Sequence, residues 1–194
     1  MRFPEKSIHL KDGRPALLRS PCEADAAEML DFVVQCSGET DFLMRYPEEY
    51  ADYTLERERE LLRRACEAEE QMMIACLVEG SIAGNCQIVF RSGLKDRHRA
   101  SVAIALRREF WGLGIGTALF RELIRAAESR GCVRQLELDF IEGNSRARGL
   151  YEKMGFRITG VKPDAIRLKD GRLLNEYSMV KVLDKQSGKE DGRA

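Results

Sequence analysis

The sequence predicts a single α/β domain, a mixed and partly antiparallel sheet flanked by helices on both faces. Three observations predict it. At 194 residues and 44% apolar content, the chain is long enough for one well-buried core and short for two. Strand-like and helix-like segments follow in the order β, α, α, three strands, α, β, α and two strands. The strand–helix–strand unit at 100–140 needs at least one parallel crossover, while glycine turns elsewhere join antiparallel hairpins.

Each element has its own signal. PALLRSP, residues 15–21, reads as the first strand. CEADAAEMLDFVVQC follows with helical spacing at Ala26, Met29, Leu30, Val33 and Val34. SGETDFLMRYPEEY is irregular, and residues 54–70 form a helix by propensity and by the face of Leu55, Leu61, Leu62 and Ala65. Residues 71–92 give two strands around a turn at Glu79-Gly80, and ASVAIALRR gives another at 100–108. A helix follows the glycines of REFWGLGIGTALF and runs to about Arg130, where Gly131 closes it. CVRQLELDFI is a strand, NSRARGLYEKM a short helix closed by Gly155, and residues 156–183 a strand pair around Asp170-Gly171. The domain spans 1–183; the polar, glycine-containing tail 184–194 reads as a disordered end.

Composition excludes several function classes. Lysine plus arginine and aspartate plus glutamate number 32 each, so net charge argues for neither nucleic acid nor an anionic membrane surface. No stretch reaches the roughly 20 apolar residues of a membrane span, and the N-terminal residues lack a signal-peptide core. The six cysteines (22, 36, 66, 76, 86 and 132) form no C-x-x-C pair, and His9 and His98 are the two histidines. This usage fits reduced thiols in a cytoplasmic protein without a metal site.

Gly112, Gly114 and Gly116 lie between a strand and a helix N-terminus, where unpartnered N–H groups and the helix dipole favour an anion. Glycine lets that anion approach the backbone closely, so the loop reads as a phosphate cradle. It is not a dinucleotide G-x-G-x-x-G, because Thr117 stands at the third position, and no Gly-Lys-Ser/Thr ending makes it a Walker loop.

With these residues the chain resembles the GNAT superfamily of acyl-CoA-dependent N-acetyltransferases, whose fingerprint is Arg/Gln-x-x-Gly-x-Gly/Ala after a strand. Trp111, Gly112, Leu113, Gly114, Ile115 and Gly116 occupy its six positions, with Trp111 in place of the Arg or Gln. The resemblance implies that the amides of Leu113, Gly114, Gly116 and Thr117 face the pyrophosphate of coenzyme A. The second signature, Asn-x-x-Ala-x-x-x-Tyr-x-x-x-Gly-Phe, is met by Asn144, Ala147, Tyr151, Gly155 and Phe156. Coverage is roughly residues 8–183.

The implied activity is transfer of an acetyl group from acetyl-CoA to a primary amine of a small molecule or a protein N-terminus, by direct attack in a ternary complex. Expelling a thiolate at neutral pH gains from a proton donor, the role the resemblance assigns to Tyr151. Asn144 and Ala147 would border the pantetheine arm. A backbone N–H at Ala105–Leu106, where the family's fourth and fifth strands part, would meet the thioester carbonyl. For the base, Glu137 is preferred over Asp139 and Glu176, because that strand borders the cleft in this fold. The resemblance implies that SGETDFLMRYPEEY and the helix after it occupy the region that shapes the acceptor site; the acids Glu39, Asp41, Glu48 and Glu49 are candidates to attract a cationic amine, with a solvent-facing loop as the stronger reading. The basic loop 91–100 is read as a solubility feature before a contact to the ribose phosphate. A CoA-binding sensor or scaffold without turnover is the alternative, and Tyr151 argues against it. If the chain assembles, a homodimer is expected.

Overall fold

The structure is a computed structural model and describes residues 1–183; the tail read as disordered lies outside the described residues. Its sheet has eight strands: β1 (Lys6–His9), β2 (Pro15–Arg19), β3 (Gln71–Val78), β4 (Ser81–Phe90), β5 (Arg99–Leu106), β6 (Gln135–Ile141), β7 (Arg157–Arg167) and β8 (Leu173–Val182). Four helices accompany them: α1 (Ala26–Glu39), α2 (Leu55–Glu67), α3 (Ile115–Ser129) and α4 (Ser145–Lys153). The strand order is β1-β2-β3-β4-β5-β6-β8-β7, and β5–β6 is its parallel pair. The mixed α/β class and the element order match the expectation with one addition. β1 precedes the strand at 15–19 and pairs antiparallel with it from Lys6↔Leu18 to His9↔Pro15. Its four residues, Lys-Ser-Ile-His, are too few and too polar to show an alternating pattern; the ladder to β2 makes them a strand.

Two apolar clusters, one on each face of the sheet, hold the layers together. Phe120, Leu119 and Leu123 of α3 pack with Cys86, Ile88, Val102 and Leu136, joined by Tyr151 and Phe156. Met29 and Phe32 of α1 and Leu62 of α2 pack with Ala75 and Ile82. The i, i+3, i+4 spacing of these helical residues is the pattern visible in the sequence.

The feature that positions the site is a gap in the sheet. β5 and β6 pair only through Arg99↔Gln135, Ala100↔Leu136 and Ser101↔Glu137. Beyond Ser101, β5 stays with β4 as far as Leu106, and β6 stays with β8 as far as Ile141. The two halves of the sheet therefore diverge, leaving one edge of β5 without a strand partner from about Ile104 onward.

Candidate active site

The glycine loop sits at the wide end of this gap. Gly112 and Gly114 have φ of 82° and 96°, the left-handed region where an L side chain is strained. Gly114 is the N-cap of α3, and its carbonyl accepts from Ala118. The N–H groups from Gly112 to Thr117 donate to no acceptor among the described residues. At Gly116 a Cβ would lie 2.9 Å from Leu150 Cδ2, so α3 and the Leu150 side chain of α4 meet closely at this point. The loop thus presents a row of backbone donors at the positive end of a helix of 15 residues.

A cleft of about 610 Å³ joins this row to the gap. That size suits a small organic ligand. Its lining includes Ile104, Ala105 and Leu106 from β5, Trp111, Gly112, Gly114, Gly116 and Thr117 from the loop and α3, and Asn144, Ala147 and Tyr151 from α4. Nine of the sequence-derived cofactor residues are therefore brought together. The other two, Leu113 and Ile115, belong to the loop but turn elsewhere: the Leu113 carbonyl accepts from Lys11 N–H, and the Ile115 side chain is buried.

The unpaired edge of β5 has a defined polarity. Arg91 N–H bonds the Arg99 carbonyl and Arg107 N–H bonds the Ala83 carbonyl, so odd-numbered residues of β5 turn their polar backbone toward β4. By the alternation of an antiparallel ladder, Ile104 and Leu106 turn theirs into the gap. The Leu106 carbonyl takes the Trp111 indole N–H at 3.0 Å, which leaves the N–H groups of Ile104 and Leu106 facing the cleft. Of the pair Ala105–Leu106, the donor is Leu106; Ala105 contributes its small side chain to the wall.

Tyr151 stands on α4 across the gap from this edge. Its ring is buried against Phe120, Phe140 and Phe156, with centroid distances of 5.4, 6.2 and 6.3 Å. Burial pushes its phenol up to about 12, so it holds its proton throughout the neutral range. Asn144 caps α4, its side-chain oxygen accepting from Ala147 N–H at 3.1 Å, and its amide NH₂ is left to serve the cleft.

The carboxylates divide. Glu137 does not line the cleft. Burial raises its pKa, but hydrogen bonds from Arg99 and Gln135 outweigh that and hold it below the usual range, which makes it a weak base. Asp139, two residues on along the same strand face, does line the cleft and accepts from the Ser178 hydroxyl at 2.6 Å. Glu176 is paired with Lys162 at 2.7 Å.

The segment between α1 and α2 closes the other end of the cleft with Phe42, Leu43 and Met44, and Cys36 of α1 lies beside them. Burial raises the Cys36 thiol to about 12, which keeps it un-ionised. Three of the four acids at the end of α1 and in this segment already have partners. Glu39 accepts from Arg108 N–H at 2.6 Å, Glu49 from Tyr46 N–H at 2.6 Å, and Glu48 pairs with Lys169. The basic loop 91–98 joins β4 to β5 at the opposite end of β5 from the glycines and contributes nothing to the cleft lining. Sequence reasoning pointed to the segment that holds Phe42, Leu43 and Met44 without singling out those side chains, and missed Lys11, Cys36, Asp139 as a cleft residue and Arg146. Arg146 had a partial signal, since it sits inside the Asn144–Tyr151 motif; the others are brought in by tertiary packing. Among the described residues, no group of three or more His, Cys, Asp or Glu side chains could hold a metal, and no helix is long and apolar enough to cross a membrane.

Comparison with known proteins supplies an independent line. Residues 39–156 match the family described as Acetyltransferase (GNAT) family. The L-amino acid N-acetyltransferase AaaT of Escherichia coli K12 is 27% identical over 112 residues, covering 58% of this chain and 68% of that protein. Among solved structures, an acetyltransferase of the GNAT family from Streptococcus pneumoniae superposes with a TM-score of 0.80 at 28% identity, covering 87% of this chain and 99% of that one. The yncA protein of Salmonella typhimurium, solved with its cofactor acetyl-CoA, shares the fold with a TM-score of 0.73 at 18% identity, covering 91% and 99% of the two chains.

Proposed function

Since the chain belongs to the GNAT acetyltransferase family and is an acetyltransferase, we propose that it moves an acetyl group from acetyl-CoA to a primary amine, of a small molecule or a protein N-terminus, by direct attack in a ternary complex. The observation that carries this reading is the continuity of one cleft. Gly112, Gly114, Gly116 and Thr117 with their unpartnered amides, the free edge of β5 and Tyr151 all line it.

Acetyl-CoA brings the activated thioester; the chain's own residues do the rest. The amides of Leu113, Gly114, Gly116 and Thr117 hold the pyrophosphate at the α3 N-terminus. Asn144 and Ala147 border the pantetheine arm. The Leu106 N–H, with Ile104 beside it, donates to a carbonyl oxygen that gains negative charge; a fixed donor there costs no reorganisation during reaction. Tyr151 delivers its proton to the departing sulfur. Asp139, through a water, receives the proton that the attacking amine must lose; Glu137 is held by Arg99 and lies outside the cleft lining. Cys36 is the cysteine of the cleft wall, and its un-ionised thiol supports direct attack over an acyl-enzyme. Free cysteines, three of them buried, fit a reducing compartment such as the cytoplasm.

The test is thiol release from acetyl-CoA with a panel of primary amines. L-amino acids come first, because the Escherichia coli relative is named for them, followed by peptides with free N-termini. Amine-dependent thiol release with an acetylated product is expected. A folded protein that binds CoA but releases no thiol with any amine would sink the proposal of turnover.

A further inference from the structure

One cation at the glycine loop comes from outside both sequence motifs. Lys11 lies in the turn between β1 and β2 and lines the cleft. Its N–H donates to the Leu113 carbonyl at 3.1 Å, which ties the turn to the glycine loop by a backbone bond. Its side chain lies along Gly114: a Cβ built there would be 3.7 Å from Lys11 Cγ and 4.0 Å from Cε. Among the described residues Lys11 has no carboxylate partner, whereas Lys6 and Arg14 on the same hairpin are both paired. Trp111, at the fingerprint position where a side-chain donor is expected, spends its indole N–H on the Leu106 carbonyl.

We propose that Lys11 is the side-chain counterion of the coenzyme A pyrophosphate in this chain, supplied by the β1–β2 turn in place of the donor that Trp111 does not offer. The inference rests on the acetyl-CoA reading above and adds a residue to it. Its four methylenes run beside Gly114, the N-cap of α3, and give the ammonium the reach to meet an anion held at that helix end. An unpaired ammonium beside unpartnered N–H groups at a helix N-terminus concentrates positive charge at one point, which suits a dianionic group. The β1–β2 hairpin thereby becomes part of the coenzyme site.

Calorimetric titration of CoA into the full-length protein, Lys11→Ala, Lys11→Arg and Lys95→Ala tests this. Lys95→Ala removes the same charge from the distant β4–β5 loop. Thermal melts verify that each variant is folded. Lys11→Ala should bind roughly tenfold more weakly, the scale of one charge-assisted contact at an exposed position. Lys11→Arg should restore most of the affinity, and Lys95→Ala should match the parent. The deficit of Lys11→Ala should persist with dephospho-CoA, which keeps the pyrophosphate, and should shrink as salt rises from about 0.05 to about 0.5 M. Equal CoA affinity in the parent and Lys11→Ala would overturn the proposal while leaving the acetyl-CoA reading intact. A deficit that vanishes with dephospho-CoA would overturn the pyrophosphate assignment by pointing to the ribose phosphate. No CoA binding by the parent would remove the reading on which the proposal rests.

Discussion

Among single residues, Tyr151 combines burial with access to the cleft. Three aromatic rings pack around its ring, and the residue lines the cleft. Tyr151→Phe keeps the ring and its packing and removes the proton donor. It should lower kcat by about 10²-fold or more, within the range for a general acid, while CoA affinity stays within about twofold. Steady-state kinetics with separate binding titrations check this; an unchanged kcat with chemistry rate-limiting would remove Tyr151 from proton transfer. Its raised pKa has a sign that can be tested as well. The phenol ionises near 10 when unfolded and near 12 in the fold, so its contribution to stability is complete below pH 10 and is lost as pH rises toward 12. The same shift predicts no basic limb in the kcat profile between about pH 8 and 10 from this group. A limb centred near 10 that disappears in Tyr151→Phe would contradict the assignment. Tyr151, Asn144 and the glycines were legible in the sequence because local spacing places them on one helix or one loop. That Asp139 lines the cleft and Glu137 does not was not legible. The two share a strand face, and only the Arg99 side chain and the point where β5 leaves β6 tell them apart.

Among the elements, the segment joining α1 to α2 and the glycine loop carry separate halves of the site. The α1–α2 segment is pinned to the β7–β8 turn by Lys169. That lysine pairs with Glu48, lies over the Tyr46 ring at 4.1 Å and donates its N–H to the Tyr46 hydroxyl at 3.2 Å. Lys169→Ala removes an exposed ion pair, worth at most about 1 kcal/mol, so Tm should move little. The amine KM should rise several-fold through loss of positioning of Phe42, Leu43 and Met44, with the CoA Kd unchanged; measuring both constants separates the halves. Replacing Gly114 by Val does the opposite. At φ of 96° it strains the α3 N-terminus by about 1–3 kcal/mol and should weaken CoA binding before it affects anything at the acceptor end. Helices and long strands were legible through their periodicity, and the glycine turn near Glu79-Gly80 through its residue types. β1 escaped because a four-residue edge strand has no period to read, and with it escaped the turn that carries Lys11 to the cleft.

Across the whole molecule, function follows from one interruption in an otherwise continuous sheet. The apolar clusters on the two faces make the layers rigid, and the parting of β5 from β6 opens a passage between them. Phe120, fully buried at the centre of the larger cluster, links α3 to Tyr151 and Phe156. Phe120→Ala should cost about 3–5 kcal/mol of global stability in denaturant unfolding. The same variant should also depress turnover, because the ring that aligns Tyr151 is lost. The fold class was legible from element order, but the gap was not. It is a property of register between strands about 35 residues apart in sequence, and no local pattern in either strand announces where their pairing stops.

The measurement that tests the central claim most directly is an amide ¹H–¹⁵N titration of the protein with acetyl-CoA. The account predicts large shifts for Leu113 to Thr117 at the helix N-terminus and for Ile104 and Leu106 on the free edge of β5, with the loop at 91–98 unmoved. Binding that leaves the amides of 113–117 unshifted, or that maps to another surface, would contradict it.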